Sequence, residues 1–559
     1  MTAAAASLVL TNGKIVTVNA RFDIAQAVAM SGERILAVGS TAAIQPLIGK
    51  DTKVIDLKGR TAMPGLVDAH AHLDREGLKE ALPSMAGLTS IDAIVDRVAE
   101  LAARTKPGEW IITMPLGDPP EFGIGASDIT PPRWPTRHDL DRAAPNNPVY
   151  IKPAWGYWRS SLPLVSMANS AALALAGITR ETLPPCDSVR IERDSRGEPS
   201  GVFLDHNRMP VVEFTLMRKV PQFDVATRIA ALPRSMQIYN SLGTTSVFEG
   251  HGVADDVIEA YKAVREAGRQ TVRATLAFSP AWPEANFEIS HMIADWARSI
   301  ARRGLGDEWL RINGLYAEVD TSREHHLRKA VFPETGWAGF NYAGLPREQV
   351  RELLIECARN GIRVIGIIPA MLDLFVEAAK VSPIAGQRWV LAHTISLDDE
   401  QLALMRDHGI VATTHTNGYI WKSGAQLRDK LGPGRENEVV PLRRMLDAGV
   451  AVAFGTDNVP VSMWYPIWQA VARIDRNINA PVAPEQALTR EEALRCATLG
   501  GAYATFEEDE KGSLEPGKLA DMTVLSQDPL TCDLAKLRET KAEMTIVGGK
   551  VVYERTMSD

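Results

Sequence analysis

Short apolar runs alternate with amphipathic segments along the central part of the chain. In residues 347–361, Val350, Leu353 and Leu354 recur at helical spacing, and Gly361 follows as a C-cap. The apolar runs between such segments have the character of buried parallel strands. We predict eight strands, at residues 66–72, 244–249, 272–278, 313–319, 363–368, 389–393, 410–415 and 450–457. Strands alternating with helices predict an α/β fold, a TIM (β/α)8 barrel with its chemistry at the carboxyl ends of the strands.

Both ends of the chain have a different, β-rich pattern. Asn12-Gly13 and Gly548-Gly549 each lie between two β-type runs and predict hairpin turns. Neither end is long enough to build a core alone, but the two can do so by pairing with each other. We therefore predict a composite β-sandwich from residues 1–60 and 505–559, with residues 61–504 forming the barrel domain.

A long insertion follows the first predicted barrel strand. Residues 74–240 read as irregular and are rich in proline and tryptophan. An excursion of this size between two core strands is more often functional than structureless. We predict that it acts as a lid within the barrel domain.

Composition and charge exclude several classes of function. A chain of 559 residues is too long for a single compact core. Its net charge of −8 leaves no excess of basic residues to bind nucleic acid or an anionic membrane. The four cysteines show no CxxC spacing, which favours reduced thiols in a cytoplasmic protein. The chain begins without the pattern of a signal peptide, and it contains no apolar run of about 18 residues that could span a membrane.

Polar side chains recur where the predicted barrel strands end. In an extended strand, residues two apart point the same way, so His70 and His72 are expected to project together and form a transition-metal chelate. Asp457 ends a predicted buried strand. Burying a carboxylate costs free energy unless it binds a metal or pairs with another group. The further candidates at strand ends are Glu249, His251, Tyr316, Glu318, Asp320, His393 and His415. Each alone could be a core hydrogen-bonding group, but their recurrence in one layer favours a metal site.

Several motifs resemble the amidohydrolase superfamily. They are PGLVDAHAH, LAH at the end of the sixth strand, FGTD at the end of the eighth, and the tail GSLEPGKLADMTVLSQDP followed by VGGKVVYE. PTRHDLDRAAPNNPVYI, NSAALALAGI, GEPSGVF and SLGTTSVFE resemble the branch that includes N-substituted formamide deformylase. The resemblance covers nearly the whole chain and implies a metal-dependent hydrolase on a distorted TIM barrel.

The resemblance also assigns roles to matching residues. It implies that His70 and His72 are metal ligands, that His393 is a ligand or polarises the substrate, and that Asp457 is a ligand and the general base. A metal lowers the pKa of bound water, and an adjacent carboxylate can take the proton. The catalytic residues we predict are therefore Asp457 and His393.

The sequence departs from the family pattern at two positions. Tyr316 stands where the branch usually has a carboxylated Lys that bridges two metals, and the fifth strand offers Gly366, Ile367 and Ile368 instead of a His. We therefore expect one divalent ion, zinc by default, rather than two. Glu318, two residues beyond Tyr316 on the same face, is predicted to replace the missing ligand.

The expected metal ligands are His70, His72, Glu318, His393 and Asp457. Glu249 is a weaker candidate, and His251 is weaker still because residues just past a strand often face solvent. His138 and the pair His325-His326 read as loop or surface residues.

Aromatic residues in the insertion and after strands seven and eight suggest an apolar or aromatic substrate moiety. The substrate-binding residues we predict are Trp155, Tyr316, Trp421 and Trp464, with packing as the alternative for each tryptophan. Lys152, Arg159 and Lys422 could receive a carboxylate, although long basic side chains are usually solvated.

The function predicted from these features is hydrolysis of a C–N amide-type bond in an N-substituted, partly apolar or aromatic small molecule. A single-metal deaminase or decarboxylase and a non-catalytic small-molecule-binding relative are the alternatives. The resemblance makes a homodimer or a higher homo-oligomer plausible. The hydrolase prediction would be abandoned if the side chains of His70 and Asp457 were more than about 8 Å apart, which is well beyond the reach of two ligands that are each about 2.1 Å from one ion.

Overall fold

The computed structural model describes residues 5–556 except 160, 283–287, 321–326, 328–335, 338, 342–343, 368–369 and 415. The chain forms two compact units. Unit 1 comprises Met1–Leu73, Leu232–Val319 and Leu345–Asp559, and unit 2 comprises Asp74–Ala231 and Asp320–Gly344. Within the described residues, no helix combines the length and the apolar character needed to cross a bilayer.

The strands are numbered in chain order. They are β1 (Leu8–Thr11), β2 (Lys14–Val16), β3 (Ile24–Ala25), β4 (Ala27–Ser31), β5 (Arg34–Gly39), β6 (Lys53–Asp56), β7 (Thr61–Pro64), β8 (Leu66–Asp68), β9 (Ile111–Thr113), β10 (Val149–Ile151), β11 (Leu164–Ala168), β12 (Val189–Arg193), β13 (Pro199–Asp205), β14 (Thr244–Val253), β15 (Arg273–Phe278), β16 (Leu305–Gly306), β17 (Leu310–Val319), β18 (Gly344–Leu345), β19 (Val364–Ile367), β20 (Val390–Ala392), β21 (Val411–Thr414), β22 (Val452–Phe454), β23 (Ile474–Asp475), β24 (Ala480–Pro481), β25 (Met522–Leu525), β26 (Ala542–Val547) and β27 (Lys550–Glu554).

The α-helices are numbered in the same way. They are α1 (Thr41–Ile44), α2 (Ile91–Ala102), α3 (Arg137–Ala143), α4 (Ser170–Ala176), α5 (Val211–Phe214), α6 (Val225–Ser241), α7 (Asp255–Glu266), α8 (Ile289–Ile300), α9 (Arg347–Asn360), α10 (Ala370–Val381), α11 (Asp399–Asp407), α12 (Gly424–Leu431), α13 (Leu442–Asp447), α14 (Trp464–Ala472), α15 (Arg490–Cys496) and α16 (Leu499–Ala504).

A parallel sheet forms the centre of unit 1. Its strand order is β8-β14-β15-β17-β19-β20-β21-β22, and every neighbouring pair is parallel. The backbone N–H of Ala69, just after β8, donates to the carbonyl of Phe454 at the end of β22 at 2.9 Å, which joins the first strand to the last. The predicted TIM barrel is therefore confirmed.

Helix α9 illustrates how the sequence pattern positions the barrel helices. Its buried residues are Val350, Leu353, Leu354, Cys357 and Ala358. Gly361 ends the helix in the left-handed conformation at φ 69°, as the sequence predicts, where a side chain would be strained. Burying each of the larger aliphatic side chains contributes about 1.5–3 kcal/mol, so this apolar stripe fixes the face that the helix turns to the core.

The β-sandwich of unit 1 is built from both ends of the chain. One sheet has the order β5-β4-β1-β6 and the other has the order β27-β26-β25-β7-β2-β3. Strand β25 pairs antiparallel with β7, placing Thr523 opposite Met63. Leu10 and Val28 of the first sheet share one buried apolar cluster with Val524 of the second. The predicted composite sandwich is therefore present.

One of the two predicted hairpins is correct. Gly548 and Gly549 have φ values of 57° and 69° and connect β26 to β27, which pair antiparallel. The Asn12-Gly13 prediction is wrong because β1 and β2 lie in different sheets. The Gly13 N–H donates to the Gln26 carbonyl at 3.0 Å, so the turn carries the chain from one sheet to the other.

Unit 2 has regular structure where the sequence suggested an irregular insertion. Its mixed sheet has the order β12-β13-β11-β10-β9, with helices α2, α3 and α4 nearby in the sequence. The prolines at 119, 120, 131, 132 and 135 lie in the loops between these elements. Proline-rich connections therefore concealed a folded unit with its own apolar clusters. The unit comprises Asp74–Ala231 and Asp320–Gly344, whereas the insertion was predicted at residues 74–240.

Candidate metal centre

His70 and His72 follow the first barrel strand rather than lying within it. Strand β8 ends at Asp68, which corrects the predicted strand through residue 72. Beyond it, the Ala69 N–H donates to the Phe454 carbonyl and the Ala71 N–H donates to the Phe248 carbonyl, both at 2.9 Å. Alternate bonding to the strands on either side holds this segment at the carboxyl end of the barrel.

Two glycines leave the space that His70 occupies. A Cβ added to Gly250 would overlap the His70 ring, and a Cβ added to Gly455 would overlap the His70 Cβ and backbone nitrogen. Gly250 lies in β14, and Gly455 directly follows β22. The strands on both sides of His70 therefore lack a side chain where the imidazole packs.

Four side chains bring possible ligand atoms together: His70, His72, His251 and Asp457. We call them the metal-ligand cluster; one ligand atom from each lies within 4.8 Å of the others. Asp457 Oδ1 is 3.0 Å from His72 Nε2 and 3.9 Å from His70 Nε2. His251 Nδ1 is 3.0 Å from His72 Nε2. The approach of His70 to Asp457 that the hydrolase prediction required is observed.

His251 is the member of the cluster that sequence reasoning undervalued. The sequence ended its strand at Glu249, whereas β14 continues to Val253, with a register shift between Glu249 and Val253 against β15. A bulge of this kind re-aims side chains at the end of a strand. The signal was present as Gly250 and Gly252 on either side of His251, because glycine inside a strand often marks a bulge.

His393 lies beside the cluster. It follows β20 with a left-handed φ of 54°, and its Nε2 is 3.0 Å from His70 Nε2. Asp457 also has a positive φ, 51°, shortly after β22. Non-glycine residues in this conformation are uncommon and tend to occur at functional sites.

Burial keeps two of these imidazoles in the form that binds metal. It lowers the pKa of His251 well below the usual value, and the neighbouring His72, His70 and His393 lower it further. Burial also lowers the pKa of His393, against an opposing effect of Asp457. Neutral imidazole, not imidazolium, is the ligand form.

The chemistry of the cluster fits a transition-metal ion. Three imidazole nitrogens and one carboxylate oxygen are ligands of Zn²⁺ and similar ions. Two ligand atoms that are each about 2.1 Å from one ion lie at most about 4.2 Å apart. The separations of 3.0 Å and 3.9 Å between Asp457 Oδ1 and the two imidazole nitrogens satisfy this limit.

Glu318, predicted as a ligand, is not brought into the cluster. In the described part of the chain, no group of three or more metal-ligating side chains contains it. Instead, Tyr316 Oη donates to Glu318 Oε2 at 2.5 Å. Residues two apart on a strand share a face, so the Tyr316 phenol can bind the Glu318 carboxylate. The Tyr316 ring packs 5.5 Å from the ring of His251.

Glu249 positions the backbone beyond the histidine pair. Its Oε1 accepts from the Leu73 N–H at 3.0 Å and from Tyr261 Oη at 2.8 Å. His415, at the end of the seventh predicted strand, lies outside the described residues, as do His325 and His326.

The tryptophans predicted to bind substrate lie in different surroundings. Trp464 is fully buried and its Nε1 donates to the Leu242 carbonyl at 3.2 Å, which supports the packing alternative. Trp421 packs against Trp468 at 5.3 Å and against the Arg538 guanidinium at 5.2 Å. In unit 2, Trp155 is 5% exposed.

Two of the basic residues proposed to receive a carboxylate, Lys152 and Arg159, have the following partners within the protein. Lys152 forms an ion pair with Glu213 at 2.9 Å, and Arg159 donates to the Ile124 carbonyl at 3.0 Å.

A buried carboxylate behind the cluster escaped the sequence reasoning. Asp68 Oδ1 accepts from the backbone N–H of His70 at 3.2 Å and of Thr456 at 3.0 Å, and Oδ2 accepts from Thr456 Oγ1 at 2.5 Å. Burial raises the pKa of Asp68 to about 6, although these hydrogen bonds oppose the rise. Asp68 thus links the segment of His70 to the segment of Asp457.

Comparisons with known proteins identify the family of the chain. The amidohydrolase family model matches residues 53–553. The chain is 29% identical to N-substituted formamide deformylase of Arthrobacter pascens over 572 residues, covering 99% of each chain. It is 26% identical to Protein LONG AFTER FAR-RED 3 of Arabidopsis thaliana, covering 98% of this chain and 92% of that one.

A solved structure shares the fold. The crystal structure of an uncharacterized metal-dependent hydrolase from Pyrococcus horikoshii matches with a TM-score of 0.67 at 20% identity, covering 94% of this chain and 99% of that one. The barrel, the histidine and aspartate cluster and the family model that spans most of the sequence lead to one conclusion. The chain belongs to the amidohydrolase family and is a hydrolase, as its motifs predicted.

Proposed function

We propose that this chain hydrolyses a C–N amide-type bond of an N-substituted, partly apolar or aromatic small molecule. The observation that carries the proposal is the convergence of His70, His72, His251 and Asp457 within 4.8 Å. Full-length similarity to a protein named N-substituted formamide deformylase supports the amide-type bond. The aromatic residues of the insertion support an apolar substituent.

The metal-ligand cluster would hold one divalent ion, with zinc expected from the ligand types. When bound, such an ion acidifies a water molecule and polarises a carbonyl oxygen. Tyr316 replaces the bridging lysine, and the buried strand β19 offers Gly366 and Ile367 at the positions where a second ion would need a histidine. These substitutions favour one ion over two.

Asp457 is positioned to move the proton. Its Oδ1 lies 3.0 Å from His72 Nε2 and 3.9 Å from His70 Nε2, so the carboxylate faces the same space as the imidazoles. In the proposed reaction, Asp457 takes a proton from the attacking water and returns it to the leaving nitrogen. A carboxylate close to the reacting atoms is suited to both transfers.

His393 orients the carbonyl. Its pKa is lowered by burial, so the ring is neutral and one nitrogen can donate a hydrogen bond. Its Nε2, 3.0 Å from His70 Nε2, faces the cluster. A donor held there stabilises negative charge that develops on the carbonyl oxygen.

The test combines elemental analysis per subunit with a panel of N-formyl and N-acyl arylamines. We expect about one zinc per chain and release of equal amounts of amine and carboxylic acid. Release of ammonia or of carbon dioxide instead would establish the deaminase or the decarboxylase. A metal-free protein that binds these molecules without turnover would be the non-catalytic relative. A small-molecule substrate, a homo-oligomeric state and a cytoplasmic location remain part of the proposal.

A further inference from the structure

Arg75 is a buried cation without a counter-charge bound to it. It lies in unit 2 and is 2% exposed. Its guanidinium makes no hydrogen bond or ion pair with any residue that the structure describes, and its Nε is inaccessible to solvent. The centroid of the Trp155 ring lies 5.6 Å from its guanidinium carbon.

The other fully buried arginines all have hydrogen-bond partners. Arg228 donates to Asp74 at 3.1 Å, Arg273 donates to Asp521 at 2.7 Å, and Arg473 donates to the Val439 carbonyl at 2.7 Å. Arg363 donates to the carbonyl of Ala504. Buried charges are costly unless they are paired, so the exception needs an explanation.

Lys152 and Arg228, the other buried cations in the described part of unit 2, are each paired with a carboxylate, as is the nearly buried Lys79. The pairs, with their separations, are Asp74 with Arg228 (3.1 Å), Glu76 with Lys79 (2.8 Å) and Lys152 with Glu213 (2.9 Å). The Asp74 carboxylate is the adjacent anion in the chain, but it forms its ion pair with Arg228 and none with Arg75. Arg75 is therefore the buried cation in the described part of unit 2 that no carboxylate contacts directly, although Asp74 interacts with it electrostatically.

We infer that Arg75 and Trp155 form a binding site for an organic carboxylate. A guanidinium presents parallel N–H donors that match a carboxylate, and an aromatic face against it leaves those edge donors available. The carboxylate supplies the missing negative charge, and Trp155 offers apolar surface to the organic part. The carboxylate belongs either to the hydrolysed substrate or to a separate small molecule, and both sources present the same group.

The first experiment measures binding by the full-length protein. Benzoate, acetate and inorganic phosphate are titrated into the wild type, Arg75→Met and Arg75→Lys, with thermal unfolding and calorimetry as readouts. We expect benzoate to raise the Tm of the wild type, to act more weakly on Arg75→Lys, and to leave Arg75→Met unchanged. Without any anion, Arg75→Met should unfold at a temperature equal to or above that of the wild type, because it removes an unpaired buried charge.

Arg228→Met is the matched control, because Arg228 is equally buried but paired. It should lower the Tm while leaving the benzoate response intact. A purely structural Arg75 would behave like Arg228. The inference is therefore overturned if Arg75→Met is destabilised or fails to fold. It is equally overturned if Arg75→Met responds to benzoate as the wild type does, or if the wild type binds none of the three anions.

The second experiment identifies the source of the carboxylate. Pairs of N-acyl arylamines with and without a ring carboxylate are compared by kcat/KM in the wild type and in Arg75→Met. A loss of about 10- to 100-fold confined to the carboxylated member would assign the group to the substrate. Equal changes for both members, together with lost benzoate binding, would assign it to a separate ligand. If no amide is hydrolysed, the proposed function fails while the binding experiment still decides the role of Arg75.

Discussion

The carboxamide of Asn458 is hydrogen-bonded to both backbone groups of His72. Its Oδ1 accepts from the His72 N–H at 2.9 Å, and its Nδ2 donates to the His72 carbonyl at 2.8 Å. Tyr239 Oη donates to the same Oδ1 at 2.7 Å. Because Asn458 directly follows Asp457, these bonds link the backbones of two members of the metal-ligand cluster.

Replacing Asn458 should weaken metal binding more than it weakens folding. We expect Asn458→Ala to lower metal affinity by about 10- to 100-fold, the usual effect of removing a group that orients a ligand. Competition with a chelator measures this affinity, and Tyr239→Phe, which removes one of the three bonds, should have a smaller effect. Unchanged affinity in Asn458→Ala would show that His72 is held without it.

We predict opposite effects on metal content for substitutions of His251 and Glu318. His251 lies in the metal-ligand cluster, whereas Glu318 accepts a hydrogen bond from Tyr316. We expect His251→Ala to lose stoichiometric metal and Glu318→Gln to retain it, as measured by elemental analysis after dialysis. The reverse result would restore Glu318 as the ligand predicted from the sequence and remove His251.

A methyl group at Gly250 should displace His70. The added Cβ would overlap the imidazole, and overpacking of this kind costs about 1–3 kcal/mol. Gly250→Ala is therefore expected to lower both metal content and the free energy of unfolding. Gly123→Ala is the matched control, since a Cβ there meets nothing within 4 Å and should change neither quantity. Normal metal binding by Gly250→Ala would mean that the ring can move aside.

Glu492 should contribute a pH-dependent share of stability. A hydrogen bond from Arg443 is the main cause that lowers the pKa of Glu492 to about 2, from an ordinary value of 4.5. A lowered folded-state pKa means that the contribution is complete above about 4.5, falls between 4.5 and 2, and vanishes below 2. Because the side chain is 30% exposed, we expect less than about 1 kcal/mol.

The free energies of unfolding of the wild type and Glu492→Gln, measured by denaturant titration between pH 7 and pH 3, test this contribution. Their difference should be largest near pH 7 and should shrink as the pH decreases below about 4.5. Other carboxylates titrate in both proteins and cancel from the difference. A difference that stays constant across this range would mean that the effect of Glu492 does not come from titration of its carboxylate.

The sequence predicted the parts of the site whose positions follow from strand order. Parallel strands place their carboxyl ends in one layer, so His70, His72 and Asp457 could be brought together from pattern and motif alone. His251 was harder to place, because its direction depends on the register shift after Glu249, which only the flanking Gly250 and Gly252 signalled. Glu318 accepts a hydrogen bond from Tyr316, which the sequence did not indicate, because strand spacing gives the face of a side chain but not the partner that binds it.

A dipeptide that favours a turn formed the predicted hairpin only where the two strands on either side of it pair with each other. Gly548-Gly549 made the predicted hairpin, whereas Asn12-Gly13 connects strands of different sheets. A dipeptide favours a turn conformation but does not decide which strands are hydrogen-bonded across it. The regular structure of unit 2 was missed for a related reason, because its prolines mark loops and carry no information about the sheet between them.

Contact between His72 and Asp457 spans 385 positions of the chain. During synthesis, the first two imidazoles leave the ribosome long before the carboxylate that completes their site exists. Closing so long a loop is entropically costly, and contacts this distant in sequence form late in folding. Synthesis must therefore pass residue 457 of 559 before His72 and Asp457 can meet, and a shorter product would lack the carboxylate of the cluster.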